Sequence, residues 1–183
     1  MDISVGVLVA IVLVIAIGVV AWMWMQRRRT EELREKFGPE YERAVNELGD
    51  QRQAEAELAA RQKRVMGFDI QPLAPAERER FIEAWRSTQA RFVDEPAAAI
   101  AEADRLVAQA MQARGYPVGD FEQRAADISV DHPNVVENYR AARAIALRNE
   151  RGEANTEDLR QAMVHYRALF EDLLETRERE VAR

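Results

Sequence analysis

The pattern of apolar and polar positions changes abruptly near residue 26. Ile3–Met25 contains no charged residue, whereas most of the chain after Arg27 repeats apolar positions with a helical period. A helix over Ile3–Met25 would be ~35 Å long at about 1.5 Å per residue, enough to cross a hydrocarbon core of ~30 Å. The pattern therefore predicts a transmembrane anchor at residues 1–26.

The residues that follow this apolar segment indicate its orientation. Trp22 and Trp24 occupy its end, where indole rings favour the headgroup layer, and Arg27, Arg28 and Arg29 come next. Basic residues stay on the cytoplasmic side, so we expect a single-pass protein of the inner membrane with its N-terminus outside and its C-terminal domain in the cytoplasm. The bilayer is then its first partner. A cleaved signal peptide is the alternative, but it would carry a basic n-region and a shorter apolar core.

Residues 27–66 have the period of a helix but a thin apolar stripe. The stripe consists of Leu33, Phe37, Tyr41, Val45 and Leu48, and beyond it only Leu58 and several alanines follow. Pro39 fits the first turn of a new helical segment. We interpret this region as a solvated helical juxtamembrane stalk. A self-associating coiled coil is the alternative, although its heptad pattern ends after Leu48.

Residues 67–178 predict a bundle of four long helices and one short helix, which makes the fold all-α. Two prolines and a glycine within the segment 66–75 mark the boundary, and the predicted starts are Pro75, Pro96, Pro133 and Asn155 or Thr156. Asp120 with Gln123 three residues later resembles a capping box that opens the short helix. The inward faces are predicted to hold Phe81, Trp85, Phe92, Ile100, Val107, Met111, Tyr139, Leu159, Tyr166 and Phe170. Residues 179–183 are predicted to fray.

Composition narrows the classes of function. The net charge is −6 and there is no cysteine, which disfavours binding to nucleic acid and excludes thiolate metal sites and disulfides. The sequence contains no phosphate-binding glycine loop and no HExxH, EF-hand or nucleophile-elbow motif. We therefore assign no catalytic residue, no cofactor and no metal, and expect a protein that is not an enzyme.

The segment 114–139 holds the one constellation of polar residues with potential chemistry. It contains Tyr116, Asp120, Asp127, Asp131 and His132, which would converge if the short helix folded back, and Tyr139 and Arg140 could line the same region. The simpler interpretation is that Asp131 caps a helix and His132 is a turn residue. His165, the other histidine, is expected on the flank of the last helix.

Several strings in this part of the chain resemble a known family. They are FVDEP at 92–96, EADRLV at 102–107, RGYPV at 114–118, DFEQRAAD at 120–127 and VDHP at 130–133. They are similar to an uncharacterised family of bacterial membrane-anchored hypothetical proteins with a helical C-terminal domain. The resemblance implies a bacterial source and brings no activity, substrate or site residue.

Three functional hypotheses remain open at this stage. The first is a membrane-tethered interaction or scaffold module that binds a protein partner. The second is a ligand- or metal-binding domain, or an unrecognised enzyme, that uses residues 114–139. The third is a structural protein that self-associates through the stalk. An all-helical fold alone does not decide among them.

Overall fold

A computed structural model describes the backbone of residues 2–181 and the side chains of Val7 and of residues 12–174. All regular secondary structure in this described part is α-helical, which confirms the all-α prediction. The helices are α1 (Asp2–Phe37), α2 (Pro39–Leu48), α3 (Gln51–Val65), α4 (Pro75–Arg91), α5 (Pro96–Ala113), α6 (Phe121–Asp131), α7 (Val136–Glu150) and α8 (Thr156–Val181).

The helix boundaries follow local chemistry. Pro39, Pro75 and Pro96 each occupy the first turn of a helix, where the missing N–H of proline would lack an intrahelical partner in any case. Gly49 ends α2 with φ of 68° and donates its N–H to the carbonyl of Val45, a left-handed cap that glycine adopts without strain. The helix predicted to open at Pro133 begins later, at Val136, because residues 133–135 form a turn after α6.

The main hydrophobic core lies among α4, α5, α7 and α8, with α6 packed on one side. Trp85 of α4 stacks on Phe170 of α8 with ring centroids 4.6 Å apart, and Phe81 meets the same ring edge-on at 6.4 Å. Alanines such as Ala103 and Ala142 are fully buried and allow the helices to approach closely. We call residues 66–174, with this core, the helical domain.

A second core lies between the end of α1, α2 and α3. It contains Phe37, Tyr41, Ala44, Ala54 and Leu58, all nearly inaccessible to solvent. The solvated stalk predicted for residues 27–66 is therefore wrong, because this segment folds back on itself and packs against α6. We call residues 30–65 the N-terminal unit.

The predicted membrane anchor is also contradicted. Over the described part of the chain, no helix combines the length and the apolar character that crossing a bilayer requires. Ile3 lies outside the residues whose side chains the structure describes. The prediction of a transmembrane helix over Ile3–Met25, and with it the inner-membrane location and topology, is corrected accordingly.

The first half of α1 still has distinct surface properties. Its described side chains from Val12 to Met25 are apolar and exposed. Three arginines that were predicted to set the membrane topology lie exposed in the second half of the same unbroken helix: Arg27, Arg28 and Arg29. The guanidinium of Arg28 stacks over the Trp24 ring at 3.8 Å. The predicted tail at 179–183 lies outside the residues whose side chains are described.

Candidate functional site

The segment from α5 to α7 holds the predicted polar residues, and its course is fixed by a close backbone contact. Gly115 follows α5 with φ of 102°, and a Cβ at this position would lie 2.2 Å from the carbonyl oxygen of Asp69. The N–H of Gln71 donates to the carbonyl of Arg114 at 2.8 Å. The linker before α4 is thereby held against the end of α5, and the chain turns from there toward α6.

Asp120 caps α6. Its Oδ1 accepts the backbone N–H of Gln123 at 2.8 Å, the contact that the spacing of these two residues predicts. A carboxylate at this position also interacts favourably with the positive end of the helix dipole. The side chain of Asp120 therefore serves the start of the helix.

Asp127 is buried and holds the N-terminal unit to α6. Its Oδ1 accepts from Nε of Arg64 at 3.0 Å and from Nε2 of Gln123 at 2.8 Å. The side chain is 1% exposed, and its Oδ2 makes no hydrogen bond to any described residue. Asp127 thus contributes one arm of an interhelical ion pair.

Tyr116 and Asp131 form the one direct contact within the predicted cluster. The phenol of Tyr116 donates to Oδ2 of Asp131 at 2.7 Å. Burial raises the pKa of Tyr116 far above its ordinary value, and the neighbouring Asp131 carboxylate raises this pKa further. Tyr116 is therefore a neutral hydrogen-bond donor that joins the loop after α5 to the end of α6.

His132 lies in a buried array with residues from two other helices. Its Nε2 lies 3.2 Å from Nη1 of Arg114, and its Nδ1 contacts Oδ2 of Asp172 in α8. A guanidinium only donates, so Nε2 must be the acceptor and Nδ1 must carry the proton. The array therefore occupies both ring nitrogens of His132, which leaves neither nitrogen open to a substrate.

The predicted cluster does not converge on one point. Asp120 and Asp127 bind Gln123 and Arg64, whereas Asp131 and His132 bind partners on other elements. Tyr139 accepts from Nε of Arg124 at 3.1 Å in a separate contact. No group of three or more histidine, aspartate or glutamate side chains able to hold a metal ion occurs among the described residues.

A buried node around Glu40 is the polar feature that sequence reasoning missed. Both oxygens of Glu40, which is fully buried, accept from Arg140 of α7 at 2.8 and 2.9 Å, and Oε1 also accepts from Nη1 of Arg61 of α3 at 2.9 Å. Arg43 lies at the edge, 3.5 Å from the same Oε1. Glu40 lies on the same face of α2 as Ala44, four residues later. A charged residue on an apolar helix face was the signal in the sequence that could have indicated a buried ion pair.

An open polar groove of about 480 Å³ lies beside Glu40, among α2, α3, α6 and α7. Its charged lining consists of four arginines and four carboxylates: Arg43, Arg61, Arg64, Arg140, Glu47, Glu57, Asp120 and Glu122. The two signs balance, so the groove selects neither an anion nor a cation by net charge. Three of its arginines instead hold helices together, because Arg61 and Arg140 pair with the buried Glu40 and Arg64 pairs with Asp127.

His165, the other candidate for acid–base chemistry, lies on the flank of α8 as expected. Its Nδ1 is 2.8 Å from Oδ1 of Asn138 in α7. This contact joins two neighbouring helices and is remote in sequence from the Asp131–His132 turn. It adds no further group to the predicted cluster.

Comparisons with protein-family models, with characterised proteins and with solved structures give no match to this chain. The resemblance to a bacterial family of membrane-anchored hypothetical proteins therefore stays a prediction.

Proposed function

We propose that the protein is a helical interaction module with two contact surfaces, one on α1 and one on the helical domain. The observation that carries the proposal is the division of α1 into two parts. From Val12 to Met25 its apolar side chains are exposed, with Val14 70% accessible, whereas Phe37 at its end is fully buried in the second core. An exposed apolar surface of this kind is typical of an interaction site.

The end of α1 is attached firmly to the N-terminal unit. Thr30 donates to Oε1 of Glu55 in α3 at 2.8 Å, and Tyr41 and Gln51 donate to the same oxygen. Burial alone would raise the pKa of Glu55, but the hydrogen bonds from Gln51, Thr30 and Tyr41 outweigh it and lower that pKa. The carboxylate stays ionised, and this network supports a fixed direction of α1 relative to α2 and α3.

The helical domain offers a groove for the second contact. A cavity of about 730 Å³ lies open between α4 and α5. Phe81, Ala84 and Leu106 form its apolar floor, and Arg80, Glu102, Gln109 and Gln112 form its polar rim. An apolar groove between two helices with a polar rim suits the amphipathic helix of a protein partner.

Photo-crosslinking of the full chain in the cells that express it tests this function. A photoreactive residue replaces Gln109 at the groove, and the matched control replaces Gln161, an exposed glutamine on α8. We expect Gln109 to capture a defined protein that Gln161 does not capture. The same products at both positions, or no product at Gln109 in several growth states, would contradict the proposal.

The alternative hypothesis, a ligand or metal site at 114–139, has weaker support. It requires Asp120, Asp127, Asp131 and His132 to face a common space, and each of them instead binds a different group of the protein. The Oδ2 atom of Asp127 is the one carboxylate oxygen of this set that stays buried without a hydrogen bond to a described residue. A single oxygen does not define a site.

A further inference from the structure

The contact between the N-terminal unit and the helical domain differs in character from the two cores that it joins. Each core is apolar and continuous within its own set of helices. Among the described residues, Val130 is the buried side chain of the helical domain that belongs to the second core, and Phe68 and Ile70 of the linker pack against both cores. The apolar part of the contact is therefore small.

Three sets of ion pairs also cross this contact. Arg64 pairs with Asp127 at 3.0 Å, Arg43 pairs with Glu137 at 3.4 Å, and Glu40 binds Arg140 through both carboxylate oxygens. The expected contribution of each ion pair to stability depends on its exposure, because exposed pairs contribute little. Glu40 is fully buried and Arg140 is 12% exposed, whereas Glu137 is half-exposed.

Glu40 is also the member of the contact that joins three helices. It lies in α2, and its carboxylate receives Arg61 from α3 and Arg140 from α7. Removal of its charge would leave these two largely buried guanidiniums, with the more exposed Arg43 nearby, around a neutral group. Breaking a buried ion pair in this way is far more costly than breaking an exposed one.

We propose that the N-terminal unit has two states relative to the helical domain, docked and undocked, and that the ion pairs of Glu40 hold the docked state. We call the contact between the two parts the joint and Glu40 its latch. With the latch closed, α1 is held in a fixed direction relative to the domain. When Glu40 no longer pairs with Arg140, the N-terminal unit undocks from the helical domain and its helices open more readily, while the main core stays folded. The existence of the joint follows from the observed contacts. If the joint also couples the binding surface on α1 to the one on the helical domain, that role rests on the proposed function.

Distance measurements on the purified full chain test the joint without any partner, so its failure is distinguishable from failure of the proposed function. The sequence has no cysteine, so Ala59→Cys in α3 and Gln161→Cys in α8 give two unique spin-label positions. We expect a narrow distance distribution in this background. Glu40→Gln and, separately, Arg140→Gln should broaden the distribution and move it to longer distances.

Hydrogen exchange on the same variants shows whether undocking is local. Amides of α2 and α3 should exchange about 100-fold faster in Glu40→Gln, as expected when a buried ion pair loses one partner. Amides of α5 and α8 should keep their wild-type rates. Glu137→Gln, which removes a half-exposed carboxylate from the same network, is the control and should change little.

Two results would overturn the proposal. One is a Glu40→Gln variant with wild-type distances and wild-type exchange in α2 and α3, which would show that the small apolar contact alone holds the unit in place. The other is an equal acceleration of exchange in α5 and α8, which would show that Glu40 supports the whole fold and is not a latch.

Discussion

At the scale of single residues, Gly115 is the glycine with the least room for a side chain among those that the structure describes. Its Cβ would lie 2.2 Å from the carbonyl oxygen of Asp69, and its φ of 102° is unfavourable for other residues. Gly115→Ala should therefore strain the backbone and push the linker off α5. We expect a loss of about 3 kcal/mol in the free energy of unfolding, measured by urea denaturation.

Gly49→Ala is the matched control for this substitution. Gly49 also has a positive φ, of 68°, but nothing lies within 4 Å of a Cβ built there. Only the conformational cost should remain, about 1 kcal/mol. Equal losses at the two positions would mean that the contact with Asp69 does not constrain the linker.

The candidate residues also show which roles a sequence reveals. The cap formed by Asp120 involves a partner three residues away and was predictable from spacing alone. The partners of His132 are Arg114, which directly follows α5, and Asp172 of α8, 40 residues further along the chain. No periodicity places Asp172 beside His132, because that contact depends on how the helices pack.

At the scale of secondary-structure elements, α6 depends on its cap. Asp120→Ala should remove the acceptor for the N–H of Gln123 and destabilise the protein by about 1 kcal/mol, whereas Asp120→Ser should keep most of the stability. Urea denaturation with hydrogen exchange of the first turn of α6 measures both effects. Glu122→Ala, on an exposed neighbour, is the control, and an equal loss there would argue against a specific cap.

The start of a helix was predictable where a single residue at that position determines it. The starts of α4 and α5 coincide with Pro75 and Pro96, where one residue fixes the first turn. The start of α7 was misplaced because His132 ends α6 and its carbonyl accepts from both Val135 and Val136. Pro133 therefore belongs to a turn, a use of proline that resembles a helix start in sequence.

The N-terminal unit was missed because its core uses few large residues. Ala44 and Ala54 are nearly or fully buried between α2 and α3, and alanines in a sequence do not distinguish a close helix contact from a solvated helix. The polar contacts that complete the unit span up to 100 residues, as between Glu40 and Arg140. Both features become visible only when the packed helices are known.

At the scale of the whole molecule, the polar groups with the most buried positions connect elements. Glu40 joins α2, α3 and α7, whereas the His132 array joins the ends of α5 and α6 to α8. A buried charge that loses its partner strongly destabilises a protein. Arrangements of the helices that separate these groups from their partners are therefore disfavoured. The relative positions of the helices therefore depend on these buried polar contacts as well as on the two apolar cores.

The tyrosines provide a test of that whole-molecule packing at alkaline pH. All four tyrosines of the sequence are at most 2% exposed, and burial is the largest cause that raises the pKa of each above its ordinary value of 10.0. Unfolding exposes phenols that ionise near pH 10, so the unfolded chain binds fewer protons than the native one above that pH. Stability from this source is complete below pH 10 and is lost as the pH rises from there toward the raised native pKa values.

We therefore expect no separate tyrosine titration near pH 10 in the native protein. Tyrosinate absorbance should appear together with the loss of helical circular dichroism, in one cooperative transition at higher pH. Tyr116→Phe removes one of the phenols whose ionisation favours the unfolded chain, so it should make stability fall less steeply with pH above 10. Tyrosinate absorbance that rises near pH 10 while the helical signal is unchanged would show that these side chains reach solvent without unfolding, and that the two cores are packed less tightly than the structure indicates.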